Sequence, residues 1–390
     1  MPDSAIPLPL AMLLVFGSAK LLAEICERFG VPGLVGEILA GALIGPGLLG
    51  WVAPNETLHV LSDLGVMFLL FNVGLEVKAA ELMRVGGTSA VVAIAGVIVP
   101  FVTGWAILLA WGAPHAEAIF VGAAMVATSV GITASVLSAR GLLDQIASKV
   151  ILTAAVIDDV LGLIVLAAVS AIARGRLSIL DLTLTACLAA GFTIVMGKWG
   201  TTVANRFLPH FKSRARAEEA EFHIALVLLF ALALLAQYTG IAAIVGAFLA
   251  GLALSDTADR RVRDLTRGVS ELLVPFFLVG VGLHFDMGVF RSTSTLVLAL
   301  VVLAAAVVTK LLGCGLGAVK LGWRNVLKVG MGMVPRGEVG MVVAQLGLGM
   351  AVITTEVYTV VVFMVVATTI ITPVLLKLAF REPAALHGEA

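Results

Sequence analysis

LTAAVIDDVLGLIV, residues 152–165, sets two adjacent carboxylates, Asp158 and Asp159, inside an otherwise apolar run. The run extends from residue 147 to 173 with one basic residue, Lys149, near its start. It exceeds the roughly 20 apolar residues that cross a bilayer as a helix, so the two acids fall near mid-membrane. A carboxylate there costs about 2.5 to 3.5 kcal/mol on insertion scales, and such residues usually mark an ion or proton pathway. Structure alone rarely needs two like charges side by side.

Outward from this stretch the chain keeps the same character. Its 390 residues are 60% apolar and 13% charged, with a mean hydropathy of +1.11. This composition specifies an all-α polytopic membrane protein. Thirteen apolar runs are legible, near 6–24, 31–50, 57–76, 86–112, 116–139, 147–173, 178–199, 219–238, 240–255, 270–287, 294–319, 325–347 and 353–379. They are long and continuous, which excludes the alternating pattern of a membrane β-barrel. With the N-terminus outside, nineteen of the 25 Lys and Arg fall in loops or the tail facing the cytoplasm, and Arg174, Arg176 and Arg291 face the other side. That bias places the C-terminus in the cytoplasm and agrees with an odd number of spans. The first segment has no basic leader and carries an acid near its start, so it reads as a retained helix.

Cys26, Cys187 and Cys314 are scattered without ligand spacing, so neither a disulfide frame nor a structural metal site is expected. No nucleophile–base constellation appears, which argues against an enzyme. Net charge is zero, and neither a cofactor nor a nucleic-acid partner is expected.

An internal repeat orders the spans. Residues 30–45, GVPGLVGEILAGALIG, align without gaps to residues 240–255, GIAAIVGAFLAGLALS, at an offset of 210. The VGL triplet at 73–75 matches that at 281–283, and SVG at 129–131 matches EVG at 338–340, at nearly the same offset. Each matched pair lies seven spans apart. Seven is odd, so the halves run through the membrane in opposite senses. Inverted repeats of this kind belong to secondary transporters, whose binding sites lie where corresponding segments are interrupted by Gly or Pro. Those segments are TSVGIT at 128–133 and VPRGEVG at 334–340, where Pro335 removes an N–H and Gly337 and Gly340 loosen the ladder. Both spans are expected to break near the midplane and to cross, with half-helix dipoles facing the site.

Other ionisable residues lie inside spans. Lys310, alone in VVTKLLGCG, should pair with a carboxylate of another helix, Asp158 or Asp159 being the natural partner. Arg336 and Glu338 share the interrupted segment but do not face one another at i, i+2 along a helix, and they are expected to bridge the break to its neighbours. Glu37, Asp63 and Glu76 read as structural or surface-funnel residues. The six histidines are isolated and receive no role beyond possible pH tuning. Carboxylates, hydroxyls and unwound carbonyls supply the oxygen ligands that a small hard cation prefers. Burial and like charge disfavour ionising both aspartates at once, so protons and a cation compete for one site. Antiport follows.

The motifs together resemble the bacterial monovalent cation:proton antiporters of the second branch of that superfamily, and among them the NapA-type, two-aspartate sodium/proton antiporters. The resemblance runs over nearly the whole chain: VPGLVGEILAGALIGP at 31–46, LGVMFLLFNVGLE at 64–76, ATSVGITASVL at 127–137, AAVIDDVLGLIVL at 154–166, PFFLVGVGL at 275–283 and MVPRGEVG at 333–340. It implies that Asp159 is the main carboxylate for sodium or lithium. Asp158 would be the second, bridging to Lys310 when the cation is absent. Thr128, Ser129 and Thr133 would line the crossed region, with Arg336 and Glu338 as a supporting network. It further implies electrogenic exchange and a homodimer in a bacterial inner membrane. Scaffold parts would be 1–85 and 216–290, and moving core parts 86–175 and 291–380. Residues 176–215 would form a linker helix and 381–390 a cytoplasmic tail, the core sliding as an elevator. Kef-type potassium efflux proteins are the alternative, yet they usually lack the first aspartate and carry a cytoplasmic nucleotide-binding domain. A non-transporting membrane sensor, the remaining alternative, would not need Asp158, Asp159 and Lys310 together.

Overall fold

The computed structural model describes residues 7–29, 31–173, 220–239, 242–285 and 292–380, with isolated residues and one short helical piece between 183 and 206, and residues 287 and 290. The described residues form α-helices and no strand. In the first half these are α1 (Leu8–Arg28), α2 (Gly33–Ile44), α3 (Glu56–Glu76), α4 (Ala79–Ala110), α5 (His115–Ala124), α6 (Val130–Ala139) and α7 (Ile146–Ala173). In the second they are α8 (Ala220–Tyr238), α9 (Ala243–Leu254), α10 (Arg260–Leu283), α11 (Thr293–Gly317), α12 (Trp323–Gly332), α13 (Glu338–Gly349) and α14 (Thr355–Ala379). Seven of them are long and apolar enough to cross a membrane by length and composition. The chain is a multi-pass membrane protein. The seventh run, 178–199, and the tail 381–390 lie largely or wholly outside the described residues.

Polar side chains set several helix starts. Asn55 accepts from Leu58 N at 2.9 Å to open α3, and Thr354 accepts from Val357 N at 3.3 Å to open α14. The second and ninth runs differ from the sequence reading, which made them 20 and 16 residues long. Each contains a helix of only 12 residues, about 18 Å of rise against a hydrocarbon core of about 30 Å. The Gly45–Pro46 step ends α2, because Gly45 is extended and proline donates no N–H. In the second half the helix begins only at Ala243, after a non-helical Ala242, and ends at Leu254 before the turn at Ser255, Asp256 and Thr257.

The inverted repeat is visible in how glycines meet backbone. A Cβ built on Gly41 would fall on the carbonyl of Val279 and reach Gly282, and one on Gly282 would fall on the carbonyl of Ile38. The repeat-related pair behaves alike: a Cβ on Gly251 would fall on the Phe71 carbonyl, and one on Gly74 on the Phe248 carbonyl. Thus α2 crosses α10 as α9 crosses α3, backbone against backbone. Gly282→Val and Gly251→Val should each lower stability by about 1 to 3 kcal/mol or more, since neither contact has room for a side chain. Thermal unfolding in detergent would show this, and an unchanged melting temperature in both would refute the close crossing.

The helices pack as two sets. One joins α1, α2, α3, α8, α9 and α10, and the other joins α4 to α7 with α11 to α14. The sets meet chiefly where α3 packs on α6 and α2 on α14.

Candidate ion-binding site

Two spans are broken. Between α5 and α6 the chain turns at Met125 and Val126 and is non-helical over 127–129; between α12 and α13 it is non-helical over 334–337. The two breaks touch directly, with Ser129 N donating to Pro335 O at 2.8 Å. Thr133, on the first turns of α6, donates to the carbonyl of Gly332 at 2.7 Å and so satisfies a carbonyl left open by the end of α12. A Cβ on Gly337 would lie 2.7 Å from that of Ser129. Only glycine lets the crossing close this far. Four half-helix ends therefore converge, the N-termini of α6 and α13 with the C-termini of α5 and α12.

Helix α7 runs past this crossing and carries both aspartates. Asp158 is fully buried, and its Oδ2 lies 3.2 Å from Lys310 Nζ, which is equally inaccessible; Oδ1 lies at 3.5 Å. Of the two aspartates named as partners for Lys310, Asp158 is the one it meets. Helix α4 makes room for the ammonium at Gly96, where a Cβ would come 3.2 Å from Nζ. Asp159, 8% exposed, lines a narrow cavity with Val66, Thr128, Ser129, Gly131, Ile244 and Gly337 among its walls. The cavity admits the centre of about one water-sized sphere, about 10 Å³. Thr128 Oγ1 is buried there without a hydrogen-bond partner among the described residues, leaving an oxygen for a guest.

Arg336 lies wholly inside the protein. Its Nη2 donates to Ala306 O at 3.0 Å, one turn before Lys310 on α11. Its peptide is held on both sides by α14: Arg336 N donates to Thr368 Oγ1 at 3.2 Å, and Thr369 Oγ1 donates to Arg336 O at 3.0 Å. Thr368 and Thr369 escaped the sequence reading. At the offset of 209 set by the SVG and EVG triplets, Asp158 and Asp159 correspond to Ala367 and Thr368, and that was the available signal. Glu338 opens α13, and its side chain is outside the described set.

Two larger cavities flank the crossing along α3. One of about 920 Å³ is lined by Leu69, Asn72, Leu75 and Glu76 near its C-terminal end. The other, about 90 Å³, is lined by Leu58, His59, Ser62 and Asp63 near its N-terminal end. Val66, on the narrow cavity, falls between these groups. Glu76 is approached by Arg267 at 4.0 Å, and Asp63 by His59 at 3.7 Å, all four groups at least partly exposed. Glu37 pairs with Lys20 at 2.8 Å. None of these three carboxylates lines the narrow cavity.

Residues 12–381 match the model of a family described as sodium/hydrogen exchanger, transmembrane. A Bacillus cereus protein named Na(+)/H(+)-K(+) antiporter GerN is 35% identical over 94% of this chain and 95% of its own length. A Synechocystis protein named high-affinity Na(+)/H(+) antiporter NhaS3 is 31% identical over 95% of this chain and 89% of its own. Among solved structures, the sodium proton antiporter MjNhaP1 of Methanocaldococcus jannaschii superposes with a TM-score of 0.73 at 18% identity, covering 95% of this chain and 96% of that one. That likeness concerns the fold.

Proposed function

The chain belongs to the sodium/hydrogen exchanger family, and from that premise we propose that it is a secondary antiporter exchanging sodium or lithium for protons across a bacterial inner membrane. The observation that carries this reading is the placement of Asp159 in a one-ion cavity at the crossing, beside an Asp158 already engaged by Lys310. Asp159 takes the cation, with oxygens of Thr128 and Ser129 completing its shell. Lys310 stands in for a cation at Asp158 and yields when sodium arrives. Protons return to the carboxylates when sodium leaves. A two-aspartate, NapA-type site suits electrogenic exchange, because two carboxylates and a lysine can release more protons than the one charge that sodium brings.

The two helix sets supply the moving parts of this reading. The set bearing α5, α6, α7, α11, α12 and α13 holds both aspartates, Lys310 and the two broken segments, and slides against the set built on α3 and α10, whose Val66 and Ile244 wall the narrow cavity. The mouths open in turn on the cavities of about 920 and 90 Å³, and residues 176–215 link the sets. The fixed set forms a homodimer. The distribution of basic residues puts the N-terminus outside and the larger cavity toward the cytoplasm.

Proteoliposomes holding a proton gradient test the proposal. Sodium or lithium should dissipate the gradient, and no response to either, or to potassium, across a range of pH would overturn it. Potassium is the second reading, favoured by the name Na(+)/H(+)-K(+) antiporter carried by the relative at 35% identity.

A further inference from the structure

A second lysine–carboxylate pair stands away from the crossing. Lys20 Nζ lies 2.8 Å from Glu37 Oε1; the lysine side chain is 48% exposed and the glutamate side chain 8%. Glu37 Oε2 is fully buried and has no hydrogen-bond partner among the described residues. A carboxylate oxygen taken from water without a donor carries an uncompensated penalty. Helix packing does not require it either, and the inverted repeat supplies the control. At the offset of 210, Gly36 and Glu37 correspond to Gly246 and Ala247, and a Cβ on Gly36 or Gly246 would fall on the equivalent carbonyls of Leu22 and Leu232. The same helix contact is thus made with alanine in place of Glu37, and Phe230 stands at the position of Lys20. The pair is an addition to one half only.

Its position gives the addition a use. Glu37 and Lys20 line the cavity of about 920 Å³ and also an adjoining one of about 670 Å³. The far walls of both include Ala139 of α6, and the second is also walled by Lys377 of α14. The pair therefore stands at the seam between the two helix sets, on a cavity that reaches Leu69 of α3, one turn from Val66 on the narrow cavity of Asp159. Glu76, on the same cavity, already has Arg267 beside it.

We propose that Glu37 is an auxiliary cation-binding carboxylate, a station for the transported monovalent cation on the large-cavity side, with Lys20 as its displaceable counter-ion. Sodium takes the place of the ammonium at Oε1 and gains Oε2 as a further ligand. The half-exposed lysine head moves into water as the cation enters, a course closed to the fully buried Lys310. This inference rests on the antiporter reading above.

The test is the sodium dependence of initial exchange rates in proteoliposomes. Glu37→Gln should raise the apparent KM for sodium about tenfold, equivalent to about 1.4 kcal/mol, with the maximal rate changed much less than KM. Glu37→Asp, which keeps the charge, should recover most of the affinity. Lys20→Met should lower KM, because the cation no longer displaces a resident ammonium, and the double variant should match Glu37→Gln. An unchanged KM in Glu37→Gln overturns the proposal, as does a rise in KM for Lys20→Met, which is what a purely structural ion pair gives. Loss of sodium response in the wild-type protein would instead refute the antiporter reading itself.

Discussion

Asp159→Asn should reduce sodium-driven proton movement to the level of protein-free vesicles while leaving the folded protein intact. Asparagine keeps the shape of the side chain in its narrow cavity beside Thr128, Ser129 and Gly337. It removes both the negative charge that attracts a cation and the group that takes and releases a proton. The ion pair of Asp158 with Lys310, one residue away, is untouched, so melting temperature serves as the control for folding. An amide offers a cation only a neutral carbonyl oxygen, and a dehydrated sodium ion at mid-membrane needs compensating charge. Retained exchange in a folded Asp159→Asn protein would remove this residue from the ion path and force the role onto Asp158.

Lys310→Ala should act first on stability. Both members of the pair are fully inaccessible, and removing one partner of a buried ion pair typically costs about 3 to 5 kcal/mol because the other charge is left uncompensated. The excision also empties the volume of a lysine stem between α4 and α11, adding a cavity term. Adding Asp158→Asn to Lys310→Ala removes the stranded charge, so the double variant should melt above the single one. Thermal unfolding in detergent distinguishes the cases. Equal melting of wild type and Lys310→Ala would show that the pair contributes nothing, and a double variant below the single would show that the stranded charge is not the cause.

The sequence exposed most of this architecture because a membrane makes each departure from apolarity costly. Asp158, Asp159 and Lys310 stand out in the sequence by that cost alone, and the two breaks by proline, glycine and hydroxyl residues at matching places in the repeat. Periodicity and apolar length said less about α2 and α9. An apolar run records what can be buried, whereas the helix inside it is bounded by the backbone, by Gly45 and Pro46 at the end of α2 and by the non-helical Ala242 at the start of α9. Lys20 with Glu37, and Arg336 with Thr368 and Thr369, are contacts between different helices. Each residue was legible singly; its partner depended on how the helices rotate about their axes, which single-helix periodicity does not fix. Choosing Asp158 over Asp159 for Lys310 was of the same kind, because adjacent residues on a helix point about 100° apart.

The reciprocal crossings of α2 with α10 and α3 with α9 also govern the order in which the protein is made. Residues such as Gly41 and Gly282, or Gly74 and Gly251, are joined backbone to backbone across some two hundred positions of chain. When the first half has been synthesised, the surfaces around Gly41 and Gly74 have nothing to close on. Helical spans can enter the bilayer singly, but their association is a later step, and contacts this distant in sequence form slowly. Those two surfaces must therefore wait in the membrane until the second half arrives, even though α1 with α2 and α4 with α5 and α7 can pair earlier. Two separately expressed halves would have to find each other before either acquires its final shape.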